Sequence, residues 1–123
     1  MKTKLILTIF GIALFASSCK KEEEAAITRD DYFGTYMKSS VCEGTYPGTS
    51  SSTITISAGQ AENQISIYNF TNNYETFPAT VNGSEITFED DGGNPGTGSL
   101  SGNVLTIVID YGGTVCTSTC TRQ

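Results

Sequence analysis

The sequence predicts an all-β domain, a small up-and-down antiparallel barrel or meander of about eight short strands. Apolar and polar side chains alternate within short segments, and Gly, Asn and Pro residues separate these segments at regular intervals. Gly, Ser, Thr and Asn are abundant, whereas long helix-forming stretches are absent. Closing the sheet into a barrel would remove the two exposed edges of an open meander. The predicted strands are residues 31–37, 52–57, 64–70, 77–81, 84–89, 97–101, 104–111 and 115–121.

The first three predicted strands carry the alternation most clearly. Phe33 and Met37 share one face of the first strand, and Ile54 and Ile56 share one face of the second. The third strand has apolar side chains on both faces, which predicts that it is covered on both sides. Between the first two strands, residues 41–48 contain Pro and Gly and are predicted to form a loop.

The fourth and fifth predicted strands form a hairpin. Asn82 and Gly83 stand between two alternating segments, a pattern that favours a type I′ turn. Pro78 indicates that the fourth strand is an edge strand, contains a bulge or starts later than predicted, because proline has no backbone N–H to donate to the hydrogen bonds between strands. In the fifth strand Ile86 and Phe88 are expected to point inward.

The last three strands follow a predicted loop at residues 90–96. Leu100 is the apolar residue of the short sixth strand, and residues 102–103 form a turn. The seventh strand, residues 104–111, is the longest apolar segment of the domain. Residues 112–113 form the turn that leads to the eighth strand. Strands of about five or six residues imply an interior filled by Ile, Phe, Val and Leu, with at most a shallow mouth.

The composition excludes several function classes. The net charge is −6, so a basic surface for nucleic acid is not expected. The chain has no histidine, which removes the commonest general base and the commonest metal ligand. We therefore expect no enzyme activity, no metal site and no cofactor.

The amino-terminal segment has the order of a secretory signal. Lys2 and Lys4 precede an apolar segment at residues 5–15, and small residues follow it. This apolar segment is shorter than the roughly 20 residues that a membrane-spanning helix needs. We therefore predict a signal peptide at residues 1–18, which leaves one domain of ordinary size.

Cys19 directly follows these small residues, and Ala16-Ser17-Ser18-Cys19 resembles the lipobox of bacterial lipoproteins. The resemblance implies cleavage before Cys19, a diacylglycerol on its sulfur and an acyl chain such as palmitate on its amino group. Two or three acyl chains together anchor a protein durably in a membrane. An ordinary secretory signal, with Cys19 as a plain thiol, is the alternative.

Residues 19–30 are predicted to form a lipidated tether ahead of a β domain at residues 31–123. Lys20 is followed by Lys21 and three glutamates, an order that resembles the export signal for the outer face of the outer membrane in lipoproteins of the Bacteroidetes type. The resemblance implies an outer-membrane lipoprotein that is exposed at the cell surface. A merely solvated tether is the alternative for such a charged segment.

Three further cysteines, Cys42, Cys116 and Cys120, predict one disulfide and one free thiol in an oxidising compartment. If the barrel closes, the first strand runs antiparallel to the last, which favours a Cys42–Cys116 bond. Loop entropy does not choose between Cys116 and Cys120 as the partner of Cys42. A Cys116–Cys120 bond is disfavoured, because at about 3.3 Å per residue they lie about 13 Å apart in a strand.

Two other groups of residues could carry a ligand. Glu89, Asp90, Asp91 and Asn94 supply oxygens that could hold calcium, although acidic loops are usually only solvated. The tyrosines could line a ligand mouth or pack at the barrel ends; they are Tyr32, Tyr36, Tyr46, Tyr68, Tyr74 and Tyr111.

The domain resembles the small lipocalin-like lipoproteins of Bacteroidetes-type bacteria. The features that carry the resemblance are Phe33-Gly34-Thr35-Tyr36, Cys42, Asn82-Gly83, Gly98-Ser99-Leu100-Ser101-Gly102-Asn103 and Cys116. The resemblance implies a barrel in which Gly34 lets the chain cross the closed end and Tyr36 plugs it. It implies no particular activity.

Two functions are compatible with this sequence. A non-catalytic binding module for a small apolar ligand or a glycan predicts a concave aromatic mouth, with an apolar cavity of at least about 300 Å³. A protein-interaction or inhibitor module predicts a filled barrel with an exposed apolar patch or a protruding loop, for which residues 43–51 are the candidate.

Overall fold

The computed structural model describes residues 26–90 and 92–123 as a closed antiparallel barrel in which each strand pairs with the next and the first pairs with the last. The predicted all-β barrel is confirmed. The signal peptide, Cys19 and most of the tether lie outside the described residues. In the described part of the chain, no helix is long and apolar enough to span a membrane. The elements are a 3₁₀ helix (Arg29–Tyr32) and strands β1 (Gly34–Gly44), β2 (Gly48–Ala58), β3 (Gln64–Tyr68), β4 (Thr76–Asn82), β5 (Glu85–Glu89), β6 (Pro95–Ser101), β7 (Val104–Asp110) and β8 (Thr114–Arg122).

The 3₁₀ helix replaces the start of the predicted first strand. The backbone N–H of Thr28 donates to the Asp31 carboxylate at 2.8 Å, which forms a capping box. Tyr32 is fully buried, and Ile27 packs against the same core. Contacts with the barrel therefore begin before Asp31, where the sequence placed the domain boundary, and β1 begins only at Gly34.

Strands β1 and β2 continue into the region that was predicted to be a loop. The pairing of β1 with β2 extends to Cys42 and Gly48, and the pairing of β1 with β8 extends to Gly44. The loop predicted at residues 41–48 is therefore shorter than expected and covers only residues 45–47, which include Pro47. Ladder hydrogen bonds on both sides of β1 stabilise an extended backbone in the rest of the segment.

The β4–β5 turn differs from the predicted type. Asn82 pairs with Glu85, so the two loop residues are Gly83 and Ser84 rather than Asn82 and Gly83. Gly83 has a φ of 62° and is the only one of these two with a positive φ, as a type II′ turn requires. Pro78 lies opposite Ser66 of β3 but beyond the β4–β5 ladder, so it occupies a local edge.

Glycines occupy two of the inward-facing positions of β6. Gly96 faces Phe88 and Gly98 faces Ile86 on β5. A Cβ at Gly96 would lie 2.3 Å from carbon atoms of the Phe88 ring. Strand β6 begins at Pro95, so the loop predicted at residues 90–96 is shorter than expected. The missing side chains give the large side chains of β5 room inside the barrel.

The 3₁₀ helix covers one end of the barrel, which we call the closed end. The Tyr32 hydroxyl donates to the Gly83 carbonyl at 2.8 Å, and the Tyr36 hydroxyl donates to the Tyr32 carbonyl at 2.8 Å. Arg122 of β8 donates to the Tyr36 hydroxyl from Nε at 3.2 Å. Burial, with smaller effects of Tyr36, Glu85 and Asp31, raises the pKa of Tyr32 to about 12.

The opposite, open end carries the β1–β2, β3–β4, β5–β6 and β7–β8 connections. Between the two ends, the barrel is filled by the buried side chains Tyr32, Tyr36, Ile54, Ile56, Ile65, Ile67, Phe70, Ala79, Ile86, Phe88, Leu100, Leu105, Ile107, Ile109 and Cys120.

Candidate functional site

A buried polar group lies inside the barrel toward the open end. Alternation along β1 points Lys38 and Ser40 inward, and β8 contributes Ser118 beside them. Lys38 is only 6% exposed, and its Nζ donates to Ser40 Oγ at 3.0 Å. Ser40 Oγ and Ser118 Oγ are hydrogen-bonded at 2.6 Å. The three side chains thus form one connected chain of polar groups.

Three phenylalanines form an aromatic cluster, and one of them, Phe70, adjoins these polar groups. The ring centroids of Phe77 and Phe88 are 5.0 Å apart, and that of Phe70 lies 5.8 Å from Phe77 and 6.4 Å from Phe88. The Lys38 Nζ lies 4.3 Å from the Phe70 ring centroid, within the range of a cation–π interaction. The lysine therefore stands at the boundary between the polar and aromatic parts of the interior.

Lys38 has no carboxylate partner within residues 26–90 and 92–123. In those residues the one salt bridge joins Arg29 to Asp30 at 3.6 Å, outside the barrel interior. Burial lowers the pKa of Lys38, and the neighbouring Cys120 opposes this shift. The site therefore holds a cationic group whose charge no described residue neutralises.

Two cavities adjoin at the open end. The inner cavity measures about 140 Å³ and is lined by Lys38, Ser40, Ser118 and Phe70, among others. The outer cleft measures about 420 Å³ and lies between the β1–β2 and β7–β8 connections. Its lining residues are Thr45, Tyr46, Tyr111, Gly113, Thr114 and Cys116. Tyr111 and Cys116 line both cavities, so they stand between the interior and the surface.

The predicted disulfide joins Cys42 of β1 to Cys116 of β8. The two residues face each other in the β1–β8 ladder, and their Cα atoms are 4.0 Å apart. Cys120, the alternative partner, is a buried free thiol opposite Lys38. The prediction of one disulfide and one free thiol is confirmed. The bond holds the wall of the inner cavity together where the barrel closes.

The tyrosines divide between the two roles that the sequence left open. Tyr32 and Tyr36 pack at the closed end, whereas Tyr46 and Tyr111 line the outer cleft. Tyr46 is 80% exposed. Burial, and to a smaller extent Asp90, raises the pKa of Tyr111. The remaining two, Tyr68 and Tyr74, are exposed and line neither cavity.

The acidic β5–β6 loop uses its oxygens within the loop itself. Asp90 Oδ1 accepts hydrogen bonds from the backbone N–H of Gly92 at 3.0 Å and of Asn94 at 2.9 Å. Asp91 lies outside the described residues. Within the described segments, no group of three or more His, Cys, Asp or Glu side chains could hold a metal ion.

Sequence reasoning missed the buried group of Lys38, Ser40 and Ser118. A signal was present, because Lys38 and Ser40 lie at the alternate positions that continue from Tyr36 to Cys42. Placing Tyr36 inward would have placed Lys38 inside as well, because alternate residues of a strand share a face. The predicted first strand began three residues too early and ended at residue 37, so it did not include Lys38 and Ser40.

The buried thiol of Cys120 is expected to make the folded protein less stable at alkaline pH. Burial raises the pKa of its thiol from 9.0 to about 11, so the folded state retains the proton that the unfolded chain loses. This contribution is complete below pH 9.0 and is lost as the pH rises through about 11. We expect the free energy of unfolding of the parent to fall about 2 kcal/mol more than that of Cys120→Ala between these pH values.

Urea titrations of both chains at a series of pH values measure this difference. Lys38 contributes with the opposite sign, since its pKa is lowered, and Cys120→Ala also removes the effect of Cys120 on that pKa, so the measured difference reports the coupled pair. Equal alkaline losses in the parent and in Cys120→Ala would contradict the assignment to the thiol.

No protein-family model, curated protein or solved structure matches this chain. The function is therefore argued from the site itself.

Proposed function

We propose that this protein is a lipid-anchored cell-envelope lipoprotein whose barrel is a non-catalytic module that binds a small apolar ligand or a glycan at its open end. The observation that carries the proposal is the outer cleft of about 420 Å³, which two tyrosines, Tyr46 and Tyr111, line. Tyrosine offers a flat apolar face and a hydroxyl, a combination that suits both ligand types. The anchor is the acylated Cys19, and its partner is the outer-membrane lipid.

The two cavities bear on the proposal in different ways. The inner cavity of about 140 Å³ is smaller than the roughly 300 Å³ of an ordinary ligand pocket, so the barrel alone would not enclose a ligand. The outer cleft exceeds that size and opens beside it. We therefore place the body of the ligand in the outer cleft.

The direction of the chain supports binding away from the membrane. Residues 26–28 lead into the 3₁₀ helix at the closed end, so a lipid on Cys19 would attach the barrel by that end. The open end, with the tyrosine-lined cleft, would then point into the aqueous space. A surface-displayed lipoprotein would present this cleft to soluble ligands.

A protein-interaction or inhibitor module is the second candidate. The tip of the β1–β2 hairpin favours it, because Tyr46 is 80% exposed there. Val41 and Val115 are also half-exposed on the neighbouring outer surface of β1 and β8. A partner protein could bury these side chains together.

Binding of a neutral fluorescent probe, N-phenyl-1-naphthylamine, to the complete mature chain (residues 19–123) carrying Cys19→Ser tests the proposal. We expect saturable binding that weakens at least about tenfold in Tyr111→Ala, because the cleft loses an aromatic wall. Tyr68→Ala is the matched control, since Tyr68 lies on the outer face of β3 and lines neither cavity.

Equal weakening in both variants, or no saturable binding to the parent, would contradict a ligand site in the cleft. In that case, a partner protein that binds the parent chain but not a variant lacking the Tyr46 side chain would favour the interaction module.

A further inference from the structure

The barrel interior contains a buried cationic side chain, Lys38. Lys38 is only 6% exposed, and within residues 26–90 and 92–123 no carboxylate contacts it. Burying an isolated charge is costly unless it is paired and hydrogen-bonded. A side chain such as methionine would fill the same space without this cost. The lysine therefore suggests a role that needs its ammonium group.

The neighbours of Lys38 limit what could pair with it. Its Nζ donates to Ser40 Oγ at 3.0 Å and lies 4.3 Å from the Phe70 ring centroid. An ammonium group has three donors, so it can donate to a ligand as well as to Ser40. One of the Ser40 and Ser118 hydroxyls donates in the bond between them, so the other can donate to the same ligand. These groups suit a single anionic oxygen-bearing group.

We propose that Lys38, together with Ser40 and Ser118, binds the carboxylate of a small monocarboxylate ligand whose apolar part lies in the outer cleft. This inference rests on the proposed ligand-binding function and specifies the ligand class. One ammonium balances one negative charge, whereas a dianion would leave net negative charge inside the barrel. Charge-assisted hydrogen bonds of this kind are about twice as strong as neutral ones.

The sizes of the two cavities match the two parts of such a ligand. The inner cavity of about 140 Å³ corresponds to about five water volumes, enough for a carboxylate and the adjoining carbons. Tyr111 and Cys116 line both this cavity and the outer cleft of about 420 Å³. A ligand that passes Tyr111 would therefore place its head beside Lys38 and its apolar chain against Tyr46.

The surroundings of Lys38 agree with this assignment. Burial lowers the pKa of its ammonium, because the barrel interior disfavours the charged form. A bound carboxylate would favour the charged form and so offset that effect. The neighbouring Cys120 thiol is neutral near pH 7, because burial raises its pKa to about 11.

Calorimetric titration with octanoate and with 1-octanol tests the proposal on the complete mature chain carrying Cys19→Ser. The two probes have the same chain length and differ in the charged head. We expect octanoate to bind at least about tenfold more tightly than 1-octanol. We expect Lys38→Met to abolish that preference, chiefly by weakening the binding of octanoate. The chain should also remain folded, because the substitution removes a buried charge.

Arg29→Gln is the matched charge control. It removes the same formal charge at the closed end, where Arg29 donates to the Ala61 carbonyl at 3.1 Å. The preference for octanoate should persist in this variant. Loss of the preference in Arg29→Gln would show a general effect of net charge and would overturn the assignment to Lys38.

The remaining outcomes separate this inference from the proposed function. Equal affinities for octanoate and 1-octanol in the parent would overturn the carboxylate assignment and leave the cleft as a ligand site. Failure of both probes, with saturable N-phenyl-1-naphthylamine binding, would also overturn the carboxylate assignment alone. Failure of all three would overturn the proposed function itself. The parent comparison needs no substitution at Lys38, so it is decisive even if Lys38→Met fails to fold.

Discussion

The double substitution Cys42→Ala and Cys116→Ala is expected to lower the free energy of unfolding by about 3 kcal/mol. The bond joins residues 74 positions apart, and the loop-entropy model assigns roughly 4 kcal/mol to a loop of that length. We expect somewhat less, because residual structure in the unfolded chain without the bond already supplies part of that constraint. Urea denaturation of the oxidised chains measures the difference.

The control for this prediction is Cys120→Ala, which removes the buried free thiol and keeps the disulfide. A reducing agent should destabilise the parent and Cys120→Ala by similar amounts and leave the double variant unchanged. A double variant as stable as the oxidised parent would show that the disulfide contributes nothing to the stability of the barrel.

Gly96→Ala is expected to destabilise the fold by about 3 kcal/mol, at the upper end of overpacking effects. The new Cβ would lie 2.3 Å from carbon atoms of the Phe88 ring, far inside van der Waals contact. Phe88 cannot move freely, because its ring centroid lies 5.0 Å from that of Phe77. Strand β6 or the phenylalanine cluster must therefore shift. Thermal and urea denaturation of the purified variant measure the loss.

Gly48→Ala is the matched control, because a Cβ at Gly48 meets no atom within 4 Å. Its stability should stay within about 0.5 kcal/mol of the parent. In addition, Phe88→Leu combined with Gly96→Ala should cost at least about 1 kcal/mol less than the sum of the two single losses. Strict additivity of these losses would contradict a direct clash between the two positions.

The strands could be predicted from the sequence because side-chain alternation reports a half-buried strand directly. Ile54 and Ile56 of β2, and Ile86 and Phe88 of β5, are buried as the alternation indicates. The strand ends were harder to predict, since they depend on pairing partners far away in the sequence. Residues 41–44 illustrate this, because β8 holds β1 extended there, whereas local composition indicates a loop.

The disulfide could be predicted because closing a barrel fixes which strands become neighbours. Given the β1–β8 ladder, Cys42 and Cys116 are direct partners, whereas Cys120 is paired with Lys38. The buried lysine could not be found in the same way, since its position depends on which face of β1 is inside. The expected position of Tyr36 at the closed end indicates that face, but the predicted first strand ended at residue 37 and so did not include Lys38.

The most direct test of a lipid-anchored, disulfide-bonded barrel is the intact mass of the protein extracted from membranes, measured after unfolding and thiol alkylation with and without reductant. We expect a chain that begins at Cys19 with the added mass of its acyl groups. One alkylated thiol should appear without reductant and three with it, because reduction exposes Cys42 and Cys116 beside Cys120. A protein that retains residues 1–18, or that carries an unmodified Cys19, would contradict the anchor and the orientation of the barrel derived from it.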